Sequence, residues 1–400
     1  MIDRLTLRNF KAFQEISLPL GPLTLLTGLN SSGKSSVLQA IALLRQSYDT
    51  GSLEVSRHRP GTRQTDLRLD LPNQGFLLNG ELVGLGTGDD VLHEDFEGNE
   101  RRTGLSVDEG PYRYRWTVGY QTVGTGLGQN LLSLIDVELP LTSEATAAPA
   151  GPESVTPSFL TAPFQYLHAD RISPSEFYPR DHHAVVGRGF LGVRGEHTVN
   201  FLRLHAEDPV PEGPLHHPHA HSDLLRDQVA AWMGDLCPGV NIRADAIEGA
   251  DAVLLSYEFP GPFGPTKRRR PGNVGFGLTY VLPIVVACLT ARPGSLVLLE
   301  NPEAHLHPHG QTRMAALAAA AAAQGAQVIT ETHSDHVING VRLAVKQGRI
   351  APEQTVFHYF RSDGTGVQVV SPQVNGAGKL DQWPDGFFDE LENTLDQLIT

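Results

Sequence analysis

The sequence predicts an α/β fold with a β-rich N-terminal lobe and an inserted, partly helical lid region. Three observations predict it. A short apolar strand, a glycine loop and an amphipathic helix follow one another between Leu23 and Leu44. Short alternating strands and turn-rich segments fill the middle of the chain. From Asn273 onward, continuous apolar strands alternate with helices again.

The elements follow in order. Leu5 and Leu7, then Ile16 and Leu18, alternate with polar residues, the pattern of two half-buried strands in a hairpin. Leu23 to Thr27 reads as a buried strand. Val37, Ile41 and Leu44 share one helix face. Leu53 to Val137 is β-rich with many turns. Leu141 to Pro163 is rich in Ala, Pro, Ser and Thr and reads as a mobile surface loop. Glu207 to His221 is a second, flexible loop rich in Pro and His. Ser222 is the expected N-cap of a helix running through Met233. Val253 to Phe259 is a strand. Ser295 to Leu299, Val328 to Thr332 and Thr355 to Phe360 are strands. His309 to Ala323 and Val337 to Val345 are helices, the first built largely on the alanine run Ala318 to Ala323. The expected divisions are 1–140, an N-terminal lobe; 141–270, the insertion; and 271–400, a C-terminal lobe.

The composition narrows the classes. The 400 residues are 40% hydrophobic, enough for a sizeable core. The formal net charge is −14, which argues against a broad nucleic-acid-binding face and leaves only a local patch. The two cysteines, Cys237 and Cys288, have neither metal-ligand spacing nor a partner pattern for a disulfide framework. The N-terminus lacks the apolar core of a signal peptide, and Tyr280 to Thr290, the longest apolar stretch, is too short to span a bilayer. A cytoplasmic protein without a membrane partner is expected.

Four motifs carry chemistry. Gly28-Leu-Asn30-Ser31-Ser32-Gly33-Lys34-Ser35 fits the P-loop pattern in full. Its glycines let backbone N–H groups converge on phosphates, and the helix behind it aims its positive end at them. Lys34 is expected on the β- and γ-phosphates of ATP, Ser35 on Mg²⁺, and Ser36 on the α-phosphate. Leu296-Val-Leu-Leu-Glu300 is a Walker B strand, ending in an acid for Mg²⁺ where α/β sheets bind ligands. Asn301 follows at the usual place of a catalytic glutamate. An amide cannot act as a base, so Glu303 is the candidate to polarise the attacking water, or hydrolysis is slow. In Glu331-Thr-His333-Ser-Asp-His336, His333 is the candidate γ-phosphate sensor. Asn273-Val-Gly275-Phe-Gly277, opening an apolar helix, is a second candidate anion loop. With one face of ATP already served by the P-loop, this second loop suggests an opposite protomer.

Weaker candidates surround these. Lys267 to Arg270 reads as a solvated loop or a contact to phosphate or nucleic acid. The His216–His221 cluster lacks fixed metal spacing. His305 and His307, two apart, are expected to shape the turn after the Walker B strand rather than share a helix face.

In this order, the four motifs resemble those of the SMC, RecF and OLD branch of ABC-type ATPases. More closely, the chain resembles standalone bacterial AAA-family ATPases that end in a C-terminal domain of unknown function. Leu5 to Phe13, Leu78-Asn-Gly80 with Leu85-Gly86-Thr, Asp170-Arg171-Ile-Ser-Pro174, Gly195-Glu-His-Thr and Trp383 to Glu390 resemble further family segments, the third and fourth lying near the lid. The resemblance implies an ABC-type P-loop NTPase head that closes as a homodimer around ATP. In it, the loop of Asn273, Gly275 and Gly277 reaches the nucleotide of the opposite protomer. It also implies a dimeric switch for a partner effector, in anti-phage defence or DNA transactions. Only 67 residues follow His333, without the acidic cluster of an OLD-type nuclease domain. The alternatives are a nucleotide-sensing scaffold with little turnover and a DNA-binding or DNA-processing ATPase.

Overall fold

The computed structural model describes residues 1–53, 74–94, 101–119, 130–140, 155–236, 239–362, 366–384, 386–387, 394–395 and 397–398. Cys237, residues 141–154 of the first loop and much of the C-terminal segment after Trp383 lie outside them. The chain divides into two compact units. One comprises Met1–Leu20, Leu29–Ala162 and Phe360–Gln368; the other comprises Gly21–Gly28, Pro163–Tyr359 and Val369–Thr400.

The first unit is built on an antiparallel sheet. β1 (Arg4–Phe10) and β2 (Phe13–Pro19) form the expected hairpin, with Leu5 opposite Leu18 and Leu7 opposite Ile16. β3 (Leu23–Gly28) belongs to the second unit. α1 (Lys34–Asp49) returns to the first and buries Val37, Leu38, Ile41 and Leu44. β4 (Gly75–Leu77), the short α2 (Gly88–Val91), β5 (Arg102–Glu109), β6 (Tyr112–Gly119) and β7 (Leu131–Glu138) follow. The sheet order is β2-β1-β5-β6-β7-β4. Strict alternation buries Leu105 and Val107 on β5 and Tyr114, Trp116 and Val118 on β6, as a one-faced sheet requires.

Two buried polar side chains tie the loops of this unit down. The Gln46 amide donates to the Leu77 and Val83 carbonyls, and its oxygen accepts from the Leu82 and Val83 N–H groups. That accounts for the Leu78–Gly86 segment lying against α1. Glu109 accepts from Ser158 N–H, Ser158 Oγ and Phe159 N–H at the start of α3 (Ser158–Thr161). The expectation of a mobile loop through Pro163 is therefore corrected for its described end: Phe159 and Leu160 are buried there, because a satisfied carboxylate anchors the turn.

The second unit is built on a sheet of order β17-β16-β3-β15-β14-β8. It adds β8 (Phe164–Leu167), β9 (Phe177–Pro179), α4 (Thr198–His205), α5 (Leu225–Leu236), β10 (Asn241–Ala246), β11 (Ala252–Glu258), the two-residue strands β12 (Pro260–Gly261) and β13 (Gly264–Pro265), α6 (Phe276–Leu289), β14 (Leu296–Glu300), α7 (Pro308–Ala323), β15 (Gln327–Glu331), α8 (Asp335–Lys346), β16 (Thr355–Ser362) and β17 (Val367–Val370). β8, β14, β15 and β3 run parallel. Leu296 to Leu299 are all buried, as expected for a strand covered on both faces. Burying each such side chain contributes roughly 1.5–3 kcal/mol. β10, β11 and β9 form a separate antiparallel sheet.

Two expectations change in this unit. α5 starts at Leu225, three residues after Ser222; Ser222 Oγ instead accepts from Leu224 N–H and donates to Asp227, capping a turn ahead of the helix. The His- and Pro-rich loop is packed rather than flexible. Leu215 is fully buried, its carbonyl accepts from Trp232 Nε1, and His217 lies edge-on to the Trp232 ring. His217 Nε2 is 3.3 Å from Asp235. Among the described residues, no group of His, Cys, Asp and Glu is arranged to hold a metal ion.

Candidate nucleotide site

β3 delivers the chain to the P-loop. Gly28 has φ +129° and Gly33 φ +91°, conformations that side chains resist. A Cβ at Gly33 would also stand 2.5 Å from the Phe13 ring, so that position admits only glycine. Leu29, Asn30 and Ser31 are exposed, and Ser31 adopts φ +60°. Ser32 is buried, and its Oγ donates to the Leu29 carbonyl at 2.7 Å. Lys34 is 3% exposed and donates from Nζ to the same carbonyl at 2.5 Å. The lysine thus folds over its own loop, onto an oxygen that a phosphate oxygen can replace. Gly33 is the N-cap of α1, and no side chain caps the helix, so its first N–H groups are offered to the loop. Ser35 is half-buried and Ser36 buried. The residues present fit a nucleotide triphosphate: a helix start, a glycine turn, one ammonium and one serine hydroxyl.

In the second unit, β14 and β15 end together, with Glu300 opposite Glu331. Glu300 is held from β8: Tyr166 donates its hydroxyl to Oε1 at 2.5 Å, and Ala169 N–H donates to Oε2 at 3.0 Å. Burial, reinforced by the Glu300 charge, pushes the Tyr166 phenol well above its ordinary value, so it stays a donor. Each carboxylate oxygen keeps a lone pair. That fits Mg²⁺, which keeps much of its water shell and takes few protein ligands.

The turn after β14 is tightly specified. Asn301 has φ +44° and His305 φ +64°. Asn301 N–H donates to the Glu331 carbonyl, and its carbonyl accepts from Arg171 Nη2 at 2.8 Å. Arg171 Nη1 donates to the carbonyls of Glu300 and His168, both at 2.8 Å. Arg171 is 1% exposed, and its guanidinium lies 4.8 Å from the Tyr280 ring centroid. Burial lowers its pKa to about 10, against the pull of Tyr280, Glu303 and Glu300. Glu303 is 7% exposed; its Oε1 accepts from His333 N–H at 2.9 Å, and its Oε2 is buried with no hydrogen-bond partner. Asn301 Oδ1 is likewise buried and unpartnered. The His333 ring is a third exposed, with Nε2 3.7 Å from Glu331. Ser334 Oγ caps α8 by accepting from His336 and Val337 N–H groups.

The structure thus gathers Glu300, Asn301, Glu303, Glu331 and His333 at one end of adjacent strands. Sequence reasoning found four of them and missed the role of Glu331, whose signal was its place at the end of the next apolar strand. It also missed Tyr166 and the interior position of Arg171, which the resemblance had put near a lid. The Gly275 loop divides in character. Asn273 and Gly275 are exposed, and a Cβ at Gly275 would meet nothing within 4 Å. A Cβ at Gly277 would stand 2.6 Å from the His305 carbonyl oxygen, so this glycine lets α6 approach the Walker B turn. His305 sits edge-on to both Phe276 and Tyr280, at 4.8 Å from each. The basic run is largely engaged: Arg268 pairs with Asp245 and Glu258, Arg270 pairs with Glu176, and Arg269 covers Phe259.

Three segments of the chain match known families. Residues 1–84 match the family described as "AAA ATPase domain". Residues 261–339 match "AAA domain, putative AbiEii toxin, Type IV TA system". Residues 350–398 match "Protein of unknown function (DUF3696)". The likeness to AAA-type ATPase domains thus lies in two separate segments, with a segment similar to DUF3696 behind them. The chain has the fold of an ABC-type P-loop head. An Smc head solved with the C-terminal winged-helix domain of ScpA superposes with TM-score 0.50 and 15% identity, covering 94% of this chain and 98% of that one. The SMC head domain from Thermotoga maritima gives 0.40 and 12% over 94% and 99%. An OLD nuclease of Thermus scotoductus is 48% identical over 44 residues, which is 11% of this chain and 8% of that protein. No helix among the described residues is long and apolar enough to cross a membrane.

Proposed function

We propose that this ATPase domain binds Mg-ATP and hydrolyses it slowly, as a homodimeric switch that gates a partner effector. One observation carries the reading: the in-register ends of β14 and β15 bring Glu300, Glu303 and His333 to a single sheet edge, the edge at which α/β folds bind ligands. On this reading the Gly28–Ser35 backbone, with Asn30, Ser31, Ser32 and Ser36, cradles the phosphates. Lys34 leaves the Leu29 carbonyl for the β- and γ-phosphates. Ser35 and Glu300 hold Mg²⁺, which supplies charge neutralisation on the phosphates. Glu303 Oε2 accepts a hydrogen bond from the attacking water, and its other oxygen holds the His333 backbone so that the ring can donate to the γ-phosphate. Asn301 orients but cannot take a proton. Asn273 and Gly275 face the nucleotide of a second protomer, while Gly277 serves packing within its own. Residues 141–270 are the insertion between the two ATPase lobes, and the protein works in the cytoplasm.

The test is phosphate release and fluorescent-nucleotide binding. Lys34→Ala should lose tight ATP binding; an unchanged affinity refutes the reading. Glu303→Gln should slow release and accumulate an ATP-bound dimer on a sizing column. A specific observation favours a second reading, a nucleotide-sensing scaffold: Asn301, half-buried with its Oδ1 buried and unpartnered, stands where a base would act. Phosphate release at saturating Mg-ATP separates the two. The engaged arginines at 268–270 weigh against direct DNA binding, and a gel shift across a salt series checks it.

A further inference from the structure

We propose that Arg171 is a positioning residue that couples α6, the helix behind the Gly275 loop, to the turn carrying Asn301 and Glu303. The proposal rests on the ATPase reading above and deepens it by naming what links the second loop to the hydrolytic turn.

Arg171 is a buried charge, expensive to keep inside unless its donors are used. It does not form a simple ion pair. Its two terminal nitrogens end on three backbone carbonyls, those of His168, Glu300 and Asn301, each at 2.8 Å. The planar fork holds the carbonyls of two successive residues in a fixed geometry, whereas an ammonium is a point charge on a flexible stem; the Nε of Arg171 is buried without a hydrogen-bond partner. Its face is spent on Tyr280, one turn into α6.

The turn it grips is strained at both ends. Asn301 and His305 both occupy the left-handed region, which side chains other than glycine adopt at a cost. Arg171 fixes the first end through the Asn301 carbonyl. The aromatic rings of Phe276 and Tyr280 fix the second through His305, at 4.8 Å each, and pack against one another at 5.0 Å. Tyr280 therefore touches both grips. Glu303 lies between the two strained residues, tied to His333 N–H. Phe276, the first residue of α6, is 42% exposed beside Gly275. A ligand that settles on Phe276 and Gly275 and shifts α6 would reach the turn through Tyr280, His305 and Arg171 and through the close contact at Gly277. A residue that merely filled the core would not combine a forked grip on the turn with a face on the helix.

The experiment uses the full chain and four variants: Arg171→Ala, Arg171→Lys, Tyr280→Leu and the double variant Arg171→Ala/Tyr280→Leu. Three quantities are measured: kcat for phosphate release, the Kd of a fluorescent ATP analogue, and hydrogen exchange of the peptide covering 300–306 with and without Mg-ATP. Arg171→Ala should lower kcat about 10- to 100-fold, the scale set by misplacing a reacting group, with Kd within about 2-fold of wild type. Arg171→Lys should recover only part of the loss. Tyr280→Leu leaves the three carbonyl bonds in place, yet should lower kcat and abolish the ATP-dependent change in exchange at 300–306. The double variant should be no slower than Arg171→Ala, since coupled residues are not additive. Unchanged kcat and unchanged exchange in Tyr280→Leu overturn the proposal, even where Arg171→Ala fails to fold. So does a parallel fall of kcat, affinity and melting temperature in Arg171→Ala with Tyr280→Leu at wild-type values. A wild type that releases no phosphate refutes hydrolysis instead; the coupling is then decided by the exchange at 300–306 alone.

Discussion

Gly277→Ala separates packing from ligand binding in the Gly275 loop. Alanine in the first turn of a helix should be an improvement of roughly 1 kcal/mol on propensity alone. Here the new Cβ would stand 2.6 Å from the His305 carbonyl oxygen, where ordinary contact begins near 3.4 Å. α6 and the Walker B turn must then part by about 0.8 Å. The obstacle is backbone, and it belongs to a residue already at φ +64°, so it cannot swing aside as a side chain would. Overpacking costs roughly 1–3 kcal/mol, and against backbone that cannot swing aside the upper part of that range, about 2–3 kcal/mol, applies, leaving a net loss of about 1–2 kcal/mol. At about 2–4 °C per kcal/mol for large domains, the melting temperature should fall by roughly 2–8 °C. Gly275→Ala is the control: its φ is −58° and its Cβ has open space, so melting should stay within about 2 °C of wild type. Thermal scans without nucleotide measure both. A Gly277→Ala protein as stable as wild type, or more stable, refutes the close approach and returns Gly277 to the ligand-facing set.

Three further outcomes follow from the same contacts. Tyr166→Phe removes the hydroxyl on Glu300 Oε1 and leaves a carboxylate oxygen short of a donor, so urea unfolding should show a loss of about 1–3 kcal/mol. Ser334→Ala removes the N-cap of α8 and should cost about 1 kcal/mol in the same assay, with a loosened His333 backbone seen as faster amide exchange. Cys288 is fully buried, and burial pushes its thiol up to about 12. Unfolded chains ionise this thiol near pH 9 while the native state holds its proton, so the cysteine contributes stability below pH 9 that is lost as pH rises from about 9 to about 12. Cys288→Ala should flatten that alkaline slope, and peptide mapping after native alkylation at pH 8 should find Cys288 unmodified.

Much of the fold was legible because it obeys local rules. Alternation placed Leu5, Leu7, Ile16 and Leu18 on one hairpin, and the apolar run ending in Glu300 placed a covered parallel strand. Where the reading slipped, a tertiary partner had overruled composition. Ser222 has the chemistry of an N-cap, but its hydroxyl is committed to Asp227, and the helix waits until Leu225. The loop from Glu207 to His221 has the composition of a flexible segment, but Trp232 and Gln228 of α5 bind its backbone at Leu215 and His217. Phe159 and Leu160 look like part of a small-residue loop until Glu109, nearly fifty residues away, is seen holding their turn.

The site shows the same division more sharply. Gly28 to Ser35 and Glu300 were legible because they follow motif patterns whose types and spacing a phosphate and Mg²⁺ would dictate. Tyr166 and Arg171 are dictated by the turn they hold, and nothing in the spacing from 166 or 171 to 300 announces that β8 will lie beside β14. Arg171 adds a second difficulty, because an arginine in sequence reads as surface or phosphate contact, whereas here burial and three carbonyls define its work. Asn301 becomes intelligible only with these partners in view. Its side chain cannot take a proton, but its carbonyl is the anchor for Arg171 and its N–H the anchor for Glu331, so the position carries structure through its backbone whatever its side chain does. On the proposed reading the water-polarising role therefore falls to Glu303, whose Oε2 is buried without a hydrogen-bond partner.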